Sequence, residues 1–132
     1  MDLIKITPDK ERARSILKMV SLLEERIKSQ DKSKMTALII TDYYEIIKEL
    51  MTAILLTDGY KTLSHRDLID YLIKKYPQFN ANDLSNIDSL RVLRNRVTYE
   101  GFFIDISYLT RNETLFKEII KKLKEILNTK LK

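Results

Sequence analysis

The stretch from Leu90 to Gly101 reads Leu-Arg-Val-Leu-Arg-Asn-Arg-Val-Thr-Tyr-Glu-Gly and gathers three arginines, an asparagine and a tyrosine into twelve residues. On a helix turning about 100° per residue, Leu90, Leu93 and Val97 form an apolar stripe, with Arg94 on its flank. Arg91, Asn95 and Thr98 follow on the adjoining face. A guanidinium so placed is half-covered by protein, and covering it is costly unless it is paired or put to use. Arginine's planar fork grips two phosphate oxygens and keeps its charge at any physiological pH, so the pattern suits an anion site. The alternative is a structural clamp from Arg94 to a carboxylate on the second helix, with Asp42, Glu45 and Glu49 as candidates; one arginine can do both. Asn95 and Tyr99, one turn apart, either shape a nucleotide pocket or cap the helix end and pack. Arg91 is a further phosphate-ligand candidate, although both Arg91 and Arg96 read first as surface charges.

The elements that must hold these residues are helical. One hundred and thirty-two residues suffice for one domain with a proper core. Only two glycines and two prolines punctuate a chain rich in Leu, Ile, Lys and Glu, which favours long helices over strands. Five helices are predicted. The first has its cap at Thr7 and Pro8 in its first turn, and runs to about Gln30 through Ile16, Val20, Leu23 and Ile27. The second, from about Lys34 to Thr57, carries two apolar stripes: Ile39, Tyr43, Ile46, Leu50 and Ile54, then Ile40, Tyr44, Ile47, Met51 and Leu55. So wide an apolar arc marks the most buried helix, closed by the Asp58-Gly59 stop. Ser64 with Asp67 caps a third helix that Pro77 ends. Ser85 with Asp88 opens the arginine-bearing fourth, closed by Gly101, and Thr110 with Glu113 opens the fifth. Phe102 to Ile106 reads as an apolar connector, because a lone strand would have no partner. The expectation is an all-α, up-and-down four-helix bundle with an additional short helix, a single domain over residues 1–132.

Composition removes several kinds of chemistry. With no cysteine, disulfides and thiolate catalysis are excluded, and a single histidine leaves no metal cluster to expect. No cofactor is expected either. No apolar run nears the roughly 20 residues that span a bilayer, and the N-terminus lacks a hydrophobic signal core, so a cytoplasmic protein is expected. The net charge of +5 and pI near 9.3 allow an acidic partner without requiring one. Lys117, Lys121, Lys122, Lys124, Lys130 and Lys132 read first as a solvated helix face, favourably placed near a C-terminus. His65 falls at the first turn of a helix, where the dipole disfavours protonation, and reads as surface or local packing. Tyr43, Tyr44 and Tyr60 read as core or dimer packing before base-stacking platforms.

Arg94, its polar neighbour Asn95 and the residues after them resemble the signature helix of the HEPN family, small helical bundles. Many members carry an arginine, an adjacent polar residue and, four to six residues after the arginine, a histidine; Tyr99 fills that slot here. Asp42-Tyr-Tyr-Glu-Ile-Ile-Lys-Glu-Leu50 and Asp58-Gly-Tyr-Lys-Thr-Leu-Ser-His65 resemble the family's second helix and following loop, so the resemblance covers nearly the whole chain. It implies a homodimer with the Arg94-Asn95 pair facing the subunit boundary. It also implies pairing with a minimal nucleotidyltransferase in a toxin–antitoxin or stress-response system. In members that cut RNA, arginine and histidine line a cleft between subunits and cleave phosphodiesters without metal. The base takes the 2′-hydroxyl proton while the cation stabilises charge on phosphorus. A tyrosine, ionised about one time in a thousand at pH 7, replaces histidine poorly as that base. Positions 94 and 99 also lie about 140° apart on an ideal helix. The partner enzyme in some such pairs modifies a tyrosine two residues beyond the histidine; Gly101 stands there, so that route is absent unless Tyr99 is the target. The expected function is nucleotide or RNA binding with the nuclease chemistry lost or weakened. Alternatives are a metal-independent ribonuclease toxin using Arg94 and Tyr99, and a purely structural helical partner.

Overall fold

A computed structural model describes residues 2–132 and contains five helices: α1 (Lys10–Ser29), α2 (Thr36–Asp58), α3 (His65–Lys75), α4 (Ala81–Glu100) and α5 (Ile106–Lys130). Four are long and α3 is short, giving the all-α up-and-down bundle with an extra short helix that the sequence pattern predicts. Helix α2 is the axis, packing against α1, α5, α4 and α3. Both its stripes are buried, from Ile39 and Ile40 through Tyr43, Tyr44, Ile46 and Ile47 to Ile54 and Leu55. The Tyr43 stripe meets Phe116 of α5, while Tyr44, about 100° further round the helix, meets His65 of α3. No helix among the described residues is long and apolar enough to cross a membrane.

Several predicted helix starts shift. Helix α1 begins after Asp9, not at Thr7, because the Asp9 carboxylate accepts from Arg12 N–H at 3.0 Å. Helix α4 begins a turn before Ser85. Asn80 and Asp83 form a reciprocal capping box, and Lys122 of α5 reaches the same Asp83 carboxylate at 3.1 Å. Asp88, assigned to a cap by sequence, instead holds Arg91 Nε at 3.0 Å. Helix α5 begins four residues before Thr110, where Asp105 accepts from Ser107 N–H at 2.8 Å. Strand structure arises at an unforeseen place: β1 (Ile4–Lys5) pairs antiparallel with β2 (Tyr60–Lys61), Ile4 opposite Lys61 and Lys5 opposite Tyr60. Phe102 to Asp105 is irregular.

The β1–β2 ladder ties the N-terminal segment to the turn that leads into α3. Gly59, at φ +88°, makes that turn, and its carbonyl accepts from Ile6 N–H at 2.9 Å. A methyl added there would sit 3.1 Å from the Ile6 carbonyl oxygen. Gly59→Ala therefore combines left-handed strain of about 1–2 kcal/mol with a crowded backbone. We expect its urea midpoint to fall by an amount equivalent to at least about 1 kcal/mol, with an unchanged slope. An unaltered midpoint would show that the turn relaxes freely.

A second device fastens the same end of α2. The Asp58 carboxylate, its side chain 3% exposed, accepts from the hydroxyls of Tyr71 (2.8 Å) and Tyr76 (2.6 Å) and pairs with Lys130. One residue thus fastens the end of α2 to α3 and to the end of α5.

Candidate functional site: a cationic cluster around Tyr44

Arg94 projects from the middle of α4 toward α2, and its guanidinium carbon lies 4.7 Å from the centre of the Tyr44 ring. The clamp to a carboxylate does not form, because each candidate carboxylate is already engaged. Asp42 is gripped by Arg26 of α1 through a two-bond fork at 3.0 and 2.7 Å. Glu45 and Glu49 both turn to Lys48, at 2.7 and 3.5 Å. Among the described residues no carboxylate lies within ion-pair distance of Arg94. Its Nε is buried without a hydrogen-bond partner. The arginine is held by an aromatic face instead, and its Nε has no acceptor among the described residues.

On the other edge of Tyr44 stands His65, the first residue of α3, placed there by the Ser64 cap, whose hydroxyl accepts from Asp67 N–H at 3.2 Å. Its Nδ1 is 2.5 Å from Tyr44 Oη, and the two rings are stacked with centres 5.8 Å apart. Burial pushes the His65 pKa below its ordinary value, and the charges of Arg94, Lys48 and Arg91 push it further, against Glu45. The imidazole is therefore neutral at pH 7. Burial raises the Tyr44 pKa despite the opposing pull of Arg94, Lys48 and Arg91, so its hydroxyl keeps its proton. Burial alone would lower Lys48, but Glu45 and then Glu49 outweigh it, so Lys48 stays charged. The cluster combines permanent cations, a neutral imidazole and a phenol hydrogen-bonded to it.

The residues singled out in sequence separate. Arg94 and Arg91 both act on Tyr44 and His65, with Arg91 also paired to Asp88. Asn95, on the adjoining face beside Arg91, is half-buried. Tyr99 is 75% exposed at the end of α4. Among the described residues it makes no aromatic or cation–π contact. Arg96 turns away and lies 3.8 Å from the Phe102 ring centre, pinning the connector. His65 is the residue that sequence reasoning undervalued. Its position in the first helical turn was legible, but its contact with Tyr44 depends on the Gly59 turn bringing α3 back beside α2.

Among the described residues no group of three or more His, Cys, Asp or Glu side chains is arranged to hold a metal ion. A cleft of about 360 Å³ between α1 and α5 includes none of the residues of this cluster. Comparison of the chain with protein-family models, curated proteins and solved structures finds no match in any of the three.

Proposed function

We infer that this chain is a HEPN-like protein that binds a phosphate-bearing ligand, a nucleotide or RNA, at the Arg94 cluster. Its role is that of the cytoplasmic partner of a minimal nucleotidyltransferase in a toxin–antitoxin or stress-response pair. The observation that carries the reading is the half-buried Arg94 guanidinium, fixed against Tyr44 and without an ion-pair partner among the described residues. A phosphate oxygen supplies an anionic acceptor for the terminal N–H groups of that guanidinium, and a preoriented arginine loses little entropy to meet it. Arg91 and Lys48 stand nearby, each already paired with carboxylates of its own, and Asn95 adds a neutral donor on the adjoining face. A homodimer is the assembly that fits, since Val92 and Tyr99 of α4, Leu38 of α2 and Phe103 of the connector expose apolar surface, Phe103 to 88%.

The test is RNA and nucleotide affinity across a salt series. Affinity should fall steeply with salt, as phosphate contacts require. Arg94→Ala should weaken it about ten- to a hundredfold, the worth of one or two charge-assisted hydrogen bonds. Arg94→Lys, which keeps the charge but not the fork, should recover only part. Affinity indifferent to both substitutions, with melting unchanged, would sink the reading and leave the structural partner. A second reading, metal-independent RNA cleavage, is favoured by one specific observation: the neutral imidazole of His65 stands against the same Tyr44 ring as Arg94.

A further inference from the structure

The cleft between α1 and α5 has a different chemistry from the Arg94 cluster and lies over Tyr43 instead of Tyr44. Its volume of about 360 Å³ falls within the range of small-molecule sites, which begins at about 300 Å³. Ile27, Ile120 and the Tyr43 ring, all buried, make an apolar floor. Five lysines and three glutamates border it, an excess of two positive charges. The polar groups deepest in the cleft are already satisfied. Tyr43 Oη donates to Glu113 Oε2 at 2.6 Å, and Lys32 Nζ donates to the other oxygen of that carboxylate at 2.7 Å. Lys124 is taken by Glu24 at 2.5 Å. Lys28, Lys117 and Lys121 remain on the border, and none has an ion pair among the described residues.

We propose that this cleft binds a single-chain carboxylate amphiphile, with the hydrocarbon on the Ile27–Ile120–Tyr43 floor and the carboxylate among Lys28, Lys117 and Lys121. The charge balance selects an anion. The satisfied interior selects its body: over the apolar floor a nucleobase meets Tyr43 and Glu113 already bonded, with Glu125 and Asn128 left only at the border, whereas a hydrocarbon needs no partner. Lysine suits the border because its methylene stem covers apolar surface while its ammonium stays in water. This site is independent of the Arg94 reading.

The full chain is titrated with decanoate below its micelle concentration, with decanol and adenosine monophosphate as controls, while the isoleucine methyl resonances are followed by NMR. Saturable binding of decanoate is expected, with the Ile27 and Ile120 methyls shifting most. It should weaken at least tenfold in the Lys117→Glu/Lys121→Glu variant, whose exposed side chains leave the core untouched. Decanol should bind at least tenfold more weakly. The proposal is overturned by non-saturable decanoate binding, by shifts centred away from Ile27 and Ile120, by equal affinity for decanol, by insensitivity to the charge reversal, or by adenosine monophosphate displacing decanoate from the cleft.

Discussion

Replacing Asp58 by alanine is expected to cost about 3–5 kcal/mol, the usual penalty for removing one partner of a buried ion pair. For a domain of this size the melting temperature should fall by roughly 10–20 °C. The side chain is 3% exposed, and its removal strands the Lys130 ammonium together with the hydroxyls of Tyr71 and Tyr76. All three are ordered around that carboxylate, and Lys75 of α3 also lies 3.7 Å from it. Asp58→Asn should cost less, because an amide oxygen still accepts from one tyrosine while the charge is lost. Burial drives the Asp58 pKa up, but the bonds from Lys130, Tyr76 and Tyr71 outweigh it and leave it below the ordinary carboxylate value. Its stabilising contribution is therefore complete above the unfolded-state carboxylate pKa and is lost as pH falls through the lower folded value. Glu113 moves in the same direction: burial raises it, and Lys32 and Tyr43 more than compensate. Chemical unfolding of the parent at a series of acidic pH values should show stability declining, and Asp58→Asn should decline less over the same interval. Parallel slopes would show that Asp58 is not the titrating group.

The architecture was legible because α2 carries two complete apolar stripes, and no arrangement but burial on several sides accommodates Ile39, Tyr43 and Ile46 together with Ile40, Tyr44 and Ile47. The stop at Gly59 and the close at Gly101 were legible for a local reason, since both adopt positive φ. Helix starts were less so. Asn80 with Asp83 and Ser85 with Asp88 have the same cap spacing, and only the first also receives Lys122 from α5, a contact that no local pattern contains. Periodicity marks Arg94 as a half-buried cation, but none of the three carboxylates it could clamp is its partner. Each carboxylate on α2 within helical reach had a nearer cation: Arg26 for Asp42, Lys48 for Glu45 and Glu49. Periodicity places a residue on a face but says nothing of competition among its neighbours. The same gap hid His65. Its neighbour in space, Tyr44, is twenty-one residues away across the Gly59 turn.

That pairing makes the roles of His65 and Tyr99 separable by experiment. RNA cleavage without metal needs a group to take the 2′-hydroxyl proton, and the group must be neutral, near the phosphate-binding cation and within hydrogen-bond reach. His65 meets the first condition because burial and the Arg94, Lys48 and Arg91 charges hold its pKa down. It meets the second because it shares the Tyr44 ring with Arg94. In the tautomer whose Nδ1–H donates to Tyr44 Oη, 2.5 Å away, Nε2 presents a lone pair for the transfer. Tyr99 fails the second, being 75% exposed at the far end of α4. In EDTA, His65→Ala is therefore expected to lower whatever RNA cleavage the parent shows by about 10²–10⁴-fold, the range for removing a general base. Tyr99→His should leave it at the parent level, because a histidine at that position has no route to Arg94 along the same helix. The RNA affinity of His65→Ala should change far less than that of Arg94→Ala, since the imidazole carries no charge at pH 7 to lend to a phosphate. Cleavage gained in Tyr99→His would place the reacting centre at the end of α4 and require a second subunit to bring an arginine there. Cleavage absent from parent and both variants, with Arg94-dependent binding intact, would leave a phosphate-binding protein whose chemistry is confined to recognition.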